Sequence, residues 1–227
     1  MTPVSQTFDC QDPAARAEGI AAAQEALGAK ACVVIPTDTV YGIGADAFSP
    51  QAVATLLAAK GRGRQMPPPV LVPRLATMDG LATDIPDGAR ALAERFWPGG
   101  LTLILWAQPS LSWDLGDTKG TVGLRMPDDA VALELLSATG PLAVSSANRT
   151  GRPTGPTAAD AREQLADSVA VYLEDGQRPA EGTEPTPSTI VDYTQTRPRL
   201  VRLGALSLEQ LNEVDPDVAM PEGDAGA

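Results

Sequence analysis

The sequence predicts a single α/β domain in which a twisted mixed sheet is flanked by helices. Three observations carry that expectation. The chain has 227 residues, within the range of one large domain. Hydrophobic residues make up 43%, ordinary for a globular protein and enough for a substantial core. Short apolar runs of strand length alternate with helical patterns, but irregularly, which points to a mixed sheet rather than a doubly wound parallel one.

Taken in order, residues 1–12 read as an N-terminal arm and residues 13–213 as the folded domain. Residues 13–28 are Ala-rich, carry Ile20 and Leu27 and end at Gly28, the pattern of a helix. Residues 31–35 read as a buried strand, and Gly42-Ile43-Gly44 beyond it as a turn or a close approach to a ligand. Residues 50–60 read as a helix with Ser49 at the N-cap, Pro50 at its first position and Val53, Leu56 and Leu57 as its apolar stripe. Gly63 and three consecutive prolines make 63–69 an irregular loop. Val70–Val72 follows as a short strand.

Asp87–Phe96 reads as a helix stopped by Trp97-Pro98-Gly99-Gly100. Leu101–Trp106 and Thr121–Arg125 read as strands with a loop over 107–120. Helices are expected at 130–136 and 158–165, and strands at 142–144, 169–173, 189–192 and 200–203. Ser207 and Gln210 have capping-box spacing at the start of a short last helix. Residues 176–187 are rich in Pro, Gly and Glu and read as a mobile loop, a candidate lid. Residues 214–227 read as an acidic disordered tail, with four acids and no base over 215–227.

Composition narrows the chemistry. There is no histidine, which removes the commonest general base and zinc ligand and excludes a Ser-His-Asp or Cys-His mechanism. The two cysteines, Cys10 and Cys32, have no metal-type spacing and suit a reducing compartment. Cys32 reads as strand core and Cys10 as an incidental thiol. No signal peptide or membrane-spanning run is visible, so a cytoplasmic location is expected and no membrane partner. The net charge of −12 argues against general nucleic-acid binding, yet Lys60, Arg62 and Arg64 form a local basic cluster suited to a small polyanion.

Two polar clusters stand out. Lys60-Gly61-Arg62 places two cations two residues apart at a helix end. They can hold phosphate oxygens, or they can simply complement the helix dipole in solvent. Ser145-Ser146-Ala147-Asn148 follows an apolar strand and offers neutral hydrogen bonds, or a plain strand-to-loop turn. Together they would make a nucleotide triphosphate site without a Walker loop.

The ordered series Pro-Thr-Asp-Thr-Val-Tyr-Gly-Ile-Gly-Ala-Asp (36–46), Ala-Lys-Gly-Arg (59–62), Ser-Ser-Ala-Asn (145–148), Pro-Ser-Thr-Ile-Val-Asp (187–192) and Val-Arg-Leu-Gly (201–204) resembles the YrdC-like family over roughly residues 15–212. Its members are threonylcarbamoyl-AMP synthases, and the short form without an extra C-terminal domain fits this chain. The resemblance implies that ATP, L-threonine and bicarbonate or CO2 give threonylcarbamoyl-AMP and pyrophosphate, with Mg2+ on the triphosphate. That is the first step of tRNA threonylcarbamoyladenosine modification.

By the same resemblance, Lys60, Arg62, Thr121, Ser146, Asn148, Thr154 and Arg202 would contact ATP. Thr39, Arg125, Val144 and Ser188 would hold threonine. Lys60 and Arg62 would act electrostatically, no general base is identified and no side chain is assigned to a metal. The chain departs from the family pattern at Gly63, Met66 and Leu71, where Pro, an ATP-contacting Asn and a threonine-contacting His are usual. A downstream tRNA threonylcarbamoyl transferase complex is the expected partner, and a weak direct tRNA contact stays open. Two alternatives also stay open: a related carbamoyl-adenylate-processing enzyme of the same fold, and a non-catalytic RNA-binding or ribosome-associated module.

Overall fold

The computed structural model describes residues 5–179 and 186–220. Eleven strands form one mixed sheet: β1 (Gln6–Asp9), β2 (Val33–Ile35), β3 (Gly42–Asp46), β4 (Val70–Leu71), β5 (Ala82–Thr83), β6 (Leu101–Ala107), β7 (Thr121–Arg125), β8 (Leu142–Ser146), β9 (Val171–Glu174), β10 (Thr189–Asp192) and β11 (Arg199–Arg202). The helices are α1 (Pro13–Gly28), α2 (Pro50–Lys60), α3 (Met78–Leu81), α4 (Asp87–Phe96), α5 (Ala130–Thr139), α6 (Ala158–Leu165) and α7 (Leu208–Asn212). Strand order is β1-β9-β2-β3-β8-β4-β7-β6-β10-β11, with β5 paired to β6. Parallel pairs (β1 with β9, β9 with β2, β4 with β7, β6 with β10) alternate with antiparallel ones, as the irregular sequence pattern predicts.

Local chemistry sets the helix ends. The Asp12 carboxylate accepts from the Ala14 and Ala15 N–H groups at 2.8 and 3.0 Å and starts α1. Ser49 caps α2 with Pro50 behind it, and Gly61 ends that helix in the left-handed region at φ 63°. Asp129 caps α5, and Thr157–Asp160 and Ser207–Gln210 form capping boxes on α6 and α7.

The alternation of side chains along the strands divides the core in two. Cys32 and Val34 face one layer, with Leu56 and Leu57 of α2, Leu92 of α4 and Leu165 of α6. Val33 and Ile35 face the other, with Ile20 and Leu27 of α1 and Leu135 and Leu136 of α5. The second layer draws its strand residues from β2, β4, β8 and β9. On β6, β7 and β10 the first layer takes Leu103, Leu105, Val122, Leu124 and Val191. Their opposite face, with Thr102, Ile104, Thr121, Gly123, Arg125 and Ile190, is left to line a cavity.

The structure departs from the sequence reading in identifiable places. The N-terminal arm contributes edge strand β1, whose main chain pairs with β9. Cys10 is not an incidental thiol: it is 4% exposed in the second layer, and burial pushes its thiol up to about 12. Gly42-Ile43-Gly44 is strand, not turn, because β3 is clamped between β2 and β8. Helix α5 continues to Thr139, three residues past the expected end.

Residues 214–220, read as the start of the tail, pack onto the domain. Val218 is buried, the Tyr193 hydroxyl donates to Asp215, and Ala219 bridges to Arg199. The remainder of the expected tail, 221–227, lies outside the described residues, as does 180–185 of the expected lid. The described start of that loop is anchored: Arg178 pairs with Asp129 at 3.0 Å and with Asp175.

Candidate active site

A cavity of about 630 Å³ opens on the uncovered face of β6, β7 and β10. The 37–42 segment, the Pro67–Pro69 run, β8 and the 153–154 and 187–188 segments complete its walls. Its position follows from the two-layer core: α1 and α5 cover the other half of this sheet face and stop short of it. Its volume suits a small-molecule ligand of nucleotide size.

Three arginines converge on it. Arg62 leaves the C-terminal end of α2, where left-handed Gly61 turns the chain back toward the sheet. Its Nη1 donates to Ser145 Oγ at 2.8 Å, and its Nε is buried without a partner among the described residues. One of its five N–H groups is therefore engaged and the Nε–H is enclosed, which leaves the three remaining Nη N–H groups without a partner among the described residues. Burial lowers the Arg62 pKa, so the site carries a desolvated cation seeking a counter-charge.

Arg125, at the end of β7, is buried and more heavily engaged. Nε donates to Gly99 O at 3.0 Å, Nη1 to Thr39 Oγ1 at 3.0 Å and Nη2 to Asp38 Oδ1 at 2.6 Å. Two N–H groups remain, the number a carboxylate takes from a fork. Burial lowers its pKa, and the Asp38 charge opposes that. Thr37 completes the base of this corner, its hydroxyl 3.1 Å from Thr39 Oγ1 and donating to Val40 O at 2.6 Å.

Arg202 arrives from edge strand β11. It donates from Nε and Nη2 to Ser188 O at 3.0 and 2.8 Å, and from Nη2 to Ser188 Oγ at 3.0 Å. Thr102 Oγ1 lies 2.9 Å from the same Ser188 hydroxyl. Burial lowers the Arg202 pKa first, and the like charges of Arg125 and Arg62 add to it. Among the described residues, no Asp or Glu lines the cavity, so an acidic protein presents a cationic pocket there.

The sequence candidates divide into two groups. Thr39, Arg62, Thr121, Arg125, Val144, Ser146, Thr154, Ser188 and Arg202 all line this one cavity, although they come from segments spread over the chain. Thr121 Oγ1 donates to Thr118 O at 2.8 Å, and Thr154 Oγ1 to Asn148 Oδ1 at 3.2 Å. The Val144 N–H is taken by Pro69 O at 2.9 Å. Lys60 and Asn148 do not line the cavity.

The expectation that Lys60 points at phosphate meets an opposing geometry. Its side chain is buried and its ammonium ends on Ser146 O, Asn148 O and Asn148 Oδ1. Arg64 is exposed and paired with Asp114 and Asp117.

Sequence reasoning gave no individual role to Thr37, Asp38 or Thr102, and named Ser145 only as part of the polar 145–148 cluster. Asp38 and Thr37 stand inside the 36–46 motif, and Thr102 alternates with apolar residues along β6, a pattern that marks it as facing away from the core. Of the three positions that depart from the family pattern, the two that replace expected substrate contacts differ in place. Met66 is exposed and off the cavity, whereas Leu71 is buried and forms part of its wall beside Arg125, its register partner on β7.

A mixed sheet with one half-open face, and a cationic cavity set into it, defines a class of small-anion-binding α/β proteins. The family can be stated more narrowly. The sequence model for Sua5/YciO/YrdC, described as "Telomere recombination", matches residues 25–204, and the chain belongs to that family.

A Mycobacterium tuberculosis relative, assigned provisionally as a threonylcarbamoyl-AMP synthase, is 55% identical over 93% of this chain and 95% of its own length. The threonylcarbamoyl-AMP synthase of Pyrococcus abyssi is 36% identical over 80% of this chain and 53% of its own. The crystal structure of P. abyssi Sua5 complexed with L-threonine superposes with a TM-score of 0.84 at 29% identity, covering 96% of this chain and 62% of that one. The chain therefore spans a little over half the length of the archaeal relative.

Proposed function

We propose that the chain is an L-threonylcarbamoyladenylate synthase, condensing L-threonine, bicarbonate or CO2 and ATP to threonylcarbamoyl-AMP and pyrophosphate. The observation that carries this reading is the convergence of Arg62, Arg125 and Arg202 on one cavity whose lining, among the described residues, has no carboxylate. A reaction among three anionic or anion-forming substrates requires that charge pattern. The relatives named above support the same reading.

The two free N–H groups of Arg125 would hold the threonine carboxylate, with Thr39 and Ser188 flanking it. Arg62 would meet the triphosphate, and Thr121, Ser146 and Thr154 the rest of the nucleotide. The threonine ammonium gives up one proton to free its lone pair, the nitrogen takes up CO2, and a second proton leaves to solvent to give the carbamate. A carbamate oxygen then attacks the α-phosphorus, the bond to the β-phosphate oxygen breaks, and pyrophosphate leaves.

Positioning and charge neutralisation supply most of such a rate, so the absence of histidine is no obstacle. Among the described residues the cavity lining carries no carboxylate and no cluster of metal-binding side chains occurs. Mg2+ would enter on the phosphate oxygens of ATP, with water as its remaining ligands.

Pyrophosphate release from ATP and bicarbonate, with each amino acid added singly, tests the reading. Threonine-dependent release with a threonylcarbamoyl-AMP mass is expected. ATP binding without it would transfer the reading to a related adenylate enzyme, with Leu71 the first residue to revert. The product would be consumed by a tRNA-modifying transferase.

A further inference from the structure

We propose that Lys60 and Asn148 are positioning residues that lock the 146–154 loop in its nucleotide-binding shape, rather than ligands of the phosphates. The argument is a complete count of hydrogen bonds. A lysine ammonium has three N–H donors. All three are used inside the protein, on Ser146 O, on Asn148 O at 2.6 Å and on Asn148 Oδ1 at 3.4 Å. The Lys60 carbonyl accepts from the Thr150 N–H at 2.9 Å, so main chain and side chain grip the same loop.

The Asn148 carboxamide is equally full. Its Nδ2 donates to Arg149 O at 3.1 Å and Arg152 O at 2.6 Å. Its Oδ1 accepts from Lys60 and from Thr154 Oγ1. Lys60 is 3% exposed and Asn148 8%, and neither reaches the cavity. A phosphate could take Lys60 only by stripping three acceptors from the loop that presents Ser146 and Thr154 to the cavity.

Arg62, two residues on, has the opposite profile, with its N–H groups largely unengaged. The two cations of one short motif thus divide the work: Lys60 builds the loop and Arg62 meets the ligand. Lys60 sits in the last turn of α2, so its bond to Ser146 O also ties that helix to β8.

This inference rests on the nucleotide reading of the cavity, and a titration series separates the two. Adenosine, AMP, ATP and threonine are titrated by calorimetry into wild type, Lys60→Met, Asn148→Ala, the double variant and Arg62→Ala. A loop-positioning role weakens adenosine, AMP and ATP by the same factor, about tenfold for one charged hydrogen-bond set, while threonine affinity stays within about twofold. The double variant is no worse than Asn148→Ala alone, because both substitutions break one unit. Arg62→Ala weakens ATP well beyond adenosine.

Loss for Lys60→Met that grows with phosphate number overturns the proposal, as does unchanged affinity for adenosine, AMP and ATP alike. A fall in threonine affinity in parallel with ATP, alongside a lowered unfolding temperature, also overturns it, since that is general destabilisation. Should Lys60→Met fail to fold, Asn148→Ser carries the same comparison: a uniform loss supports the proposal, and a loss that grows with phosphate number overturns it. Failure of wild type to bind any of the three would instead sink the nucleotide reading.

Discussion

Arg125 holds three segments together with one side chain: the end of β7, Gly99, and the Asp38–Thr39 pair. Replacing it with alanine leaves the Asp38 carboxylate, 18% exposed, short of its partner. We expect Arg125→Ala to cost roughly 3 kcal/mol of stability and to abolish threonine binding, read by urea unfolding and calorimetry. Arg125→Lys keeps the charge but not the fork, so threonine affinity still falls about tenfold.

Lys60 makes a pH prediction of its own. Burial, with the like charge of Arg62 adding to it, pushes its pKa down to about 8 from 10.5. The folded state therefore releases this proton before the unfolded state does. Between about pH 8 and 10.5 the unfolded chain holds more protons, so this group's titration raises stability with pH in that window. The neutral amine, however, has one donor fewer for the 146–150 loop. Nucleotide affinity is expected to fall above pH 8 while the unfolding temperature does not, and Lys60→Met is expected to show no such affinity step. A parallel fall of both in wild type would refute this account.

At the scale of elements, β3 shows why a strand can hide in a sequence. Gly42 and Gly44 weaken its strand signal. Glycine stands at 42 because β8 crosses close by: a Cβ there would lie 2.6 Å from Val144 Cγ1. Gly42→Ala should cost about 1–3 kcal/mol in chemical denaturation, and Val144→Ala in the same chain should recover part of it. No recovery would mean that the strain falls on backbone instead.

Strand β6 was more legible. Leu101, Leu103 and Leu105 face the core while Thr102 and Ile104 alternate toward the cavity. Strand β1 was not, because its Gln-Thr-Phe-Asp sequence has no apolar face. Its place is set by main-chain pairing with β9, which sequence pattern does not reveal. The packed 214–220 segment escaped notice for a related reason. Its acids suggested solvent, yet Asp215 is 8% exposed, held by the Tyr193 hydroxyl.

At the scale of the molecule, the charge distribution is the functional signal. A chain of net charge −12 gathers three arginines around one cavity, with no carboxylate on its lining among the described residues. Ligand binding should neutralise a mutual repulsion built into the fold. ATP at about 100 times its Kd should stabilise the protein by roughly 2.7 kcal/mol, visible as a raised unfolding temperature. The shift should shrink as salt screens the cavity. A shift insensitive to salt would argue that apolar contacts dominate the site.

The sequence alone determined the class of fold and the chemical vocabulary of the site. Helix caps, strand alternation and the lack of histidine are local properties, readable without knowing what lies opposite in space. It also named segments that line the cavity, because Thr39, Arg62, Ser146, Ser188 and Arg202 stand in short ordered motifs. Only the tertiary structure decided how those side chains divide their hydrogen bonds. Lys60 and Arg62 are two residues apart and equally cationic in sequence. One ends on buried carbonyls and the other is left largely open toward the cavity, because satisfaction of a buried donor depends on acceptors brought 83 residues or more from elsewhere in the chain.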